Sequence, residues 1–179
     1  MKIGLTGTMS VGKTTLVKAL SKMDQFHNYT CTTERSKYLN SLGIPLNHET
    51  TIEGQTIFLA ERVTELMQDN LITDRTIIDV MAFARCSKSM NYFEKNNFIN
   101  LAKCLIHEYD YIFYVSPKGV EIENNGVRET NSEYRDLIDR TIQSFLKHHS
   151  PRIKNLITVE GSTEERIKII QDSLVLQYL

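Results

Sequence analysis

Short apolar runs along this chain alternate with longer stretches in which apolar residues recur every three or four positions. A strand covered on both faces shows no polar side, whereas a surface helix buries one stripe, so the runs predict strands and the recurrent stretches predict helices. Strands are expected at Lys2–Thr6, near Tyr29–Thr33, at Leu71–Asp74, at Tyr111–Val115 and near Asn155–Glu160. Helices are expected from Thr14 to about Met23, over Glu34–Leu42, over roughly Glu49–Asp69, and about Ile77–Ser87 and Tyr92–Glu108. In the longest, Ile52, Thr56, Leu59, Val63 and Leu66 draw one stripe. Gly43-Ile44-Pro45 interrupts the pattern before it.

Two capping boxes, Thr130-x-x-Glu133 and Ser162-x-x-Glu165, start two further helices. Their inward faces are expected at Tyr134, Leu137, Ile138, Ile142 and Phe145, and at Ile167, Ile170 and Leu174. The polar stretch Lys118–Asn131, centred on Asn124-Asn125-Gly126, reads as a mobile loop. Strands joined by helical crossovers imply an α/β fold with a parallel sheet and helices on both faces. Ligands of such sheets bind at the carboxyl ends of the strands.

What stands at those ends is chemically specific. The first strand runs into Gly7-Thr8-Met9-Ser10-Val11-Gly12-Lys13-Thr14-Thr15, which is the G-x-x-x-x-G-K-[ST] phosphate-binding P-loop in its proper strand–loop–helix context. The glycines let the backbone turn and approach a phosphate, and successive N–H groups point at the anion beside the positive end of a helix. Lys13 can reach the β- and γ-phosphates of ATP, and Thr14 can offer its hydroxyl to Mg²⁺. The second strand ends at Thr33-Glu34-Arg35-Ser36 and the third at Thr73-Asp74-Arg75-Thr76. Two acid–Arg pairs therefore converge on the phosphate site. Phosphoryl transfer needs a metal holder, a group for the acceptor hydroxyl, and cations for the transferred phosphate. Asp74 suits metal or acceptor, Glu34 suits the acceptor proton, and Arg35 and Arg75 suit phosphate or these carboxylates. Which of Glu34 and Asp74 is the base stays open. Arg128 and Arg135 lie on a segment, about 118–135, that can act as a lid over the nucleotide. Gln55, Phe58 and Arg62 on the long helix are candidates for an acceptor pocket.

Composition narrows the partners. The 179 residues suit one domain, 1–179, and the net charge of −1 offers no global field for nucleic acid or membranes. The one basic cluster, Lys147-His148-His149 with Arg152 and Lys154, falls at a helix end. Cys31, Cys86 and Cys104 are odd in number and far apart, which argues for a reducing, cytoplasmic setting over a disulfide framework. No apolar run approaches membrane-spanning length, and a strand begins at the first residues with no leader before it.

On Gly7–Thr15, Thr33-Glu34-Arg35, Asp74-Arg75-Thr76 and Asn125-Gly126-Val127-Arg128 with Asn131–Arg135, the whole chain resembles the small P-loop kinases of the nucleoside and nucleotide kinase group. The nearest likeness is to nicotinamide riboside kinase-like ATP-binding domains. That resemblance implies a P-loop NTPase three-layer sandwich with a five-stranded sheet in the order 2-3-1-4-5, Glu34 as base, and Asp74-Arg75 at acceptor and metal. It also implies γ-phosphate transfer from ATP, with Mg²⁺, to a nucleoside or nucleotide-like small molecule. No adenylyltransferase motif accompanies it. A kinase for a hydroxyl of DNA and a regulatory ATPase without an acceptor are the alternatives. Neither an extended basic track nor an N-K-x-D base-reading motif is present. An AAA-type motor would need a second helical domain, for which the chain is too short. A second copy of the chain is left open as a partner.

Overall fold

The computed structural model describes residues 1–120 and 132–175. In chain order the elements are β1 (Lys2–Thr6), α1 (Lys13–Leu20), β2 (Thr30–Thr32), α2 (Ser36–Ser41), α3 (Ile52–Leu66), β3 (Leu71–Asp74), α4 (Ile77–Cys86), α5 (Tyr92–Ala102), β4 (Tyr111–Val115), α6 (Ser132–His149), β5 (Leu156–Val159) and α7 (Thr163–Val175). All strand pairs are parallel and the sheet order is β2-β3-β1-β4-β5. This is the P-loop kinase-type sheet that the resemblance implies.

Alternation along the strands divides the core into two layers. Ile3 and Leu5 of β1, with Tyr111, Phe113 and Val115 of β4, pack against Leu16, Val17 and Leu20 of α1 and Ile170 and Leu174 of α7. Ile112 and Tyr114 point to the other face and meet Leu59 and Leu66 of α3, most of α4, and Ile138 and Ile142 of α6. The central strands β1, β3 and β4 have the bounds the apolar runs predict. The edge strands are shorter than expected, because their outer residues are partly exposed and carry no continuous run.

The helices are trimmed too. The expected helix over Glu49–Asp69 starts only at Ile52, where Thr51 accepts the Gly54 N–H at 3.2 Å, and the turn before it, Asn47–Glu49, is a separate 3₁₀ turn. The helix expected over Tyr92–Glu108 becomes 3₁₀ from Lys103. The buried stripe of α3 is Gln55, Leu59, Arg62 and Leu66, not one through Thr56, which is exposed and bonds back to the Ile52 carbonyl at 2.7 Å. Leu137 is likewise exposed, and Arg135 and Asp139 lie buried on that helix instead. Thr130, Asn124–Gly126 and Arg128 lie outside the described residues, as does most of the expected lid.

Candidate active site

The loop after β1 is shaped by its backbone. Gly7 and Gly12 have φ of +150° and +88°. A β-carbon at Gly7 would stand 2.6 Å from the Val115 carbonyl oxygen, so no side chain fits where the loop meets β4. Ser10 also adopts positive φ, 56°. Lys13, the first residue of α1, is buried and donates to the carbonyl oxygens of Gly7 and Thr8, each at 2.7 Å. Burial pushes its pKa from 10.5 down to about 8; Arg75 adds to the fall, while Asp79, Asp74 and Glu34 oppose it.

Buried polar side chains hold this loop from three sides. Asp79 of α4 accepts from Thr6 Oγ1 at 2.7 Å and Gly7 N at 3.3 Å, and from Thr76 N and Oγ1 at 2.8 and 3.0 Å. Arg166 of α7 donates to the Val11 carbonyl at 2.5 Å and to the Ser116 carbonyl at 3.1 Å. Arg135 of α6 donates to the carbonyls of Met9 (3.3 Å) and Val120 (2.9 Å), and its backbone carbonyl accepts from Thr8 Oγ1 at 2.9 Å. Among the described residues the buried Arg135 Nη2 finds no hydrogen-bond partner.

Opposite the loop stand the carboxylates. Thr14 Oγ1 donates to Asp74 Oδ2, while the buried Asp74 Oδ1 has no hydrogen-bond partner among the described residues. Arg62 fixes the end of β3 from behind, donating to the Asp74 backbone carbonyl at 2.8 Å and to Glu65 at 2.7 Å. Glu34 accepts from Ser36 Oγ at 2.7 Å and Ser36 N at 3.3 Å, and lies 3.5 Å from Arg75 Nε. Burial alone would raise its pKa; the Arg75 guanidinium, the Ser36 hydroxyl and Lys13 outweigh burial and hold it below the ordinary carboxylate value. Arg75 has a φ of 80°, a strained conformation costing about 1–3 kcal/mol. Its Nη1 lies 3.8 Å from Asp79 Oδ1, and its guanidinium carbon lies 4.9 Å from the Phe83 ring centroid.

Two hollows meet here. The smaller is lined by Met9 through Thr14 with Glu34, Asp74 and Arg75. The larger is lined by Met9, Glu34, Ser36, Leu46, Asn47, Gln55, Phe58, Arg75, Val80 and Phe83. Met9, Glu34 and Arg75 belong to both.

Most of the residues singled out in the sequence thus come together: Gly7 to Thr14, Glu34, Asp74, Arg75 and Arg135 around the phosphate loop, and Gln55 and Phe58 on the larger hollow. Thr15 points out to solvent. Arg35 lines neither hollow; it pairs with Glu61 at 3.4 Å and lies 4.6 Å over the Tyr38 ring. Arg62 braces β3 and does not line the acceptor hollow. Arg128 falls outside the described residues. Sequence reasoning missed Asp79 and Arg166. Thr76-Ile77-Ile78-Asp79 is a capping box with Asp in the last place, which was a readable signal. Nothing local marks Arg166.

Among the described residues no cluster of three or more His, Cys, Asp or Glu forms a metal cage, and no helix is long and apolar enough to cross a membrane. The fold recurs in deoxyadenosine kinase from M. mycoides, solved with dCMP and a flexible dCDP, at a TM-score of 0.71 and 19% identity over 97% of this chain and 98% of that one. The same enzyme with bound dCTP gives 0.70 and 20% over the same shares. Thymidylate kinase from Candida albicans gives 0.65 and 15% over 98% and 91%. At such identities the likeness establishes the fold. No curated protein sequence matches significantly. A family model described as an AAA domain matches residues 2–166, which span the sheet from β1 to β5. The chain belongs to that AAA-domain family of P-loop proteins.

Proposed function

We propose that the chain is an ATP-dependent phosphotransferase that moves the γ-phosphate of ATP to a hydroxyl of a nucleoside- or nucleotide-like small molecule. The observation that carries this is the wall shared by the two hollows: a carboxylate, Glu34, stands between a phosphate loop and a largely apolar pocket walled by Leu46, Phe58, Val80 and Phe83. An ATPase without an acceptor has no use for such a pocket. The nucleoside and nucleotide kinases of the same fold add support.

The residues divide the work as follows. The loop N–H groups and Lys13 hold the triphosphate. Thr14 Oγ1 and the unpartnered Asp74 Oδ1 are hard oxygen donors that suit Mg²⁺. When bound, that ion would offset charge on the phosphate oxygens. Glu34, ionised at neutral pH, accepts the acceptor's hydroxyl hydrogen bond and takes its proton as the new O–P bond forms and the bond from the γ-phosphorus to the bridging oxygen of ADP breaks. Its low pKa makes it a weak base at the outset, which suits a loose transition state where the attacking oxygen turns acidic late. Arg75 orients Glu34 and reaches both hollows. Arg135 Nη2 is a spare donor beside the loop, and Arg128 is retained as a lid cation that would act after closure.

The test is transfer of radiolabel from γ-labelled ATP to a panel of nucleosides (nicotinamide riboside included), nucleotides and DNA, scored against ATP alone. Lys13→Ala should abolish turnover in a folded protein. Glu34→Gln should retain ATP binding while transfer falls by about 10²–10⁴-fold. If Asp74→Asn gives that pattern and Glu34→Gln does not, the two roles are exchanged. Hydrolysis that no acceptor stimulates would replace the kinase with a regulatory ATPase, and transfer to DNA alone would replace its substrate.

A further inference from the structure

We infer that the acceptor is an uncharged nucleoside and that the pocket excludes the corresponding 5′-monophosphate; this rests on the kinase reading for its chemistry and on charge for its argument. In the sequence two arginines, Arg35 and Arg75, follow the strand-end acids and are equally suited to bind a phosphate. In space they differ. Arg35 is turned away to Glu61 and lines neither hollow. Among the described residues that line the acceptor pocket, the charged ones are Glu34 and Arg75 alone.

Arg75 has no charge to spare. Its guanidinium faces the Glu34 carboxylate at 3.5 Å and the fully buried Asp79 carboxylate at 3.8 Å. Two carboxylates therefore stand against one guanidinium. Lys13 lines the phosphate hollow and not this one. A phosphate dianion entering the acceptor pocket would meet Glu34 with no uncommitted cation among the described lining residues to offset it, and like charges in a partly desolvated site repel strongly. A neutral hydroxyl fits the same place. It can donate to Glu34 without bringing a second negative charge beside it. The remaining walls, Met9, Leu46, Phe58, Val80 and Phe83, suit a flat uncharged ring.

The experiment is calorimetric binding of matched pairs, each nucleoside against its own 5′-monophosphate, with Mg²⁺ and ADP filling the phosphate loop. Adenosine, deoxyadenosine, cytidine, deoxycytidine and thymidine, all uncharged at neutral pH, make up the set. The nucleoside is expected to bind about 100-fold more tightly than its monophosphate in whichever pair binds best. Equal or tighter binding of the monophosphate overturns the inference, as does a set in which no nucleoside binds. Glu34→Gln then removes one carboxylate facing Arg75 and should shrink the ratio about tenfold or more; an unchanged ratio overturns it. Turnover is read separately. Nucleoside binding without phosphate transfer removes the kinase reading and leaves this inference standing. Transfer that prefers monophosphates keeps the kinase reading and overturns the inference.

Discussion

Asp79→Asn is the sharpest probe of how the phosphate loop is anchored. The carboxylate is fully buried and gathers donors from two separate segments. Oδ2 accepts from Thr6 Oγ1, Thr76 N and Thr76 Oγ1, while Oδ1 accepts from Gly7 N and faces Arg75. Asparagine keeps the shape but turns two donors toward one of these groups. The less costly orientation points its nitrogen at Gly7 N–H and Arg75, which loses a bond to a charged group worth about 1.5–3 kcal/mol. It also removes one member of a buried ion pair, a change that costs about 3–5 kcal/mol where a charge is left alone. Arg75 keeps Glu34, so the lower part of that range applies, and the two losses share one oxygen and do not add. A destabilisation of about 3 kcal/mol follows. In a domain of this size about 2–4 °C of Tm goes with each kcal/mol, so the midpoint should fall by about 6–12 °C. Urea unfolding with and without ADP measures it, and stabilisation by ADP should also shrink because Gly7 N–H is no longer held. A loss under about 1 kcal/mol with ADP stabilisation intact would refute the reasoning.

Three further outcomes are expected. Because the ligand-free Lys13 titrates at about 8 and a bound triphosphate would hold its proton, ATP binding should take up about half a proton at pH 8. Affinity should therefore fall as pH rises above that, read by calorimetry in two buffers of different ionisation heat. Arg166→Met leaves the Val11 and Ser116 carbonyls without their charged donor and should cost about 2 kcal/mol or more in urea unfolding, with weaker ADP binding. Thr14→Val should raise the Mg²⁺ concentration needed for half-maximal turnover by about 10–100-fold, whereas an unchanged Mg²⁺ titration would remove Thr14 from the metal.

The parts of the fold that were legible are those where burial is two-sided. β1, β3 and β4 have the bounds their apolar runs predict, because every residue of β3 and β4 is buried. β2 and β5 lie at the sheet edges, mix exposed with buried residues, and lose their ends to the surrounding turns. Helix α3 misled by one position because its inward face is half polar. Gln55 turns to Thr50 Oγ1 at 2.8 Å, and Arg62 turns to the end of β3. A hydrophobic stripe cannot register a face that buries hydrogen-bonded polar side chains.

The site divides along the same line. The phosphate loop was readable because its function is local: the glycines, Lys13 and Thr14 act on one short segment whose geometry they themselves fix. The braces around it act across the chain. Asp79 reaches Thr6 over 73 positions, and Arg166 reaches Val11 over 155, so no window of sequence contains both partners. The two acid–Arg pairs show the consequence most clearly. Glu34-Arg35 and Asp74-Arg75 look alike as dipeptides, yet the pairing that forms joins Glu34 to Arg75, while Arg35 goes to Glu61. Adjacent residues on an extended strand end point in opposite directions, so an acid is rarely neutralised by its own neighbour. Counting charges in sequence therefore assigns two cations to the acceptor pocket. Counting them in space leaves one among the described residues, already facing two carboxylates, and it is on that difference that the proposed preference for the nucleoside rests.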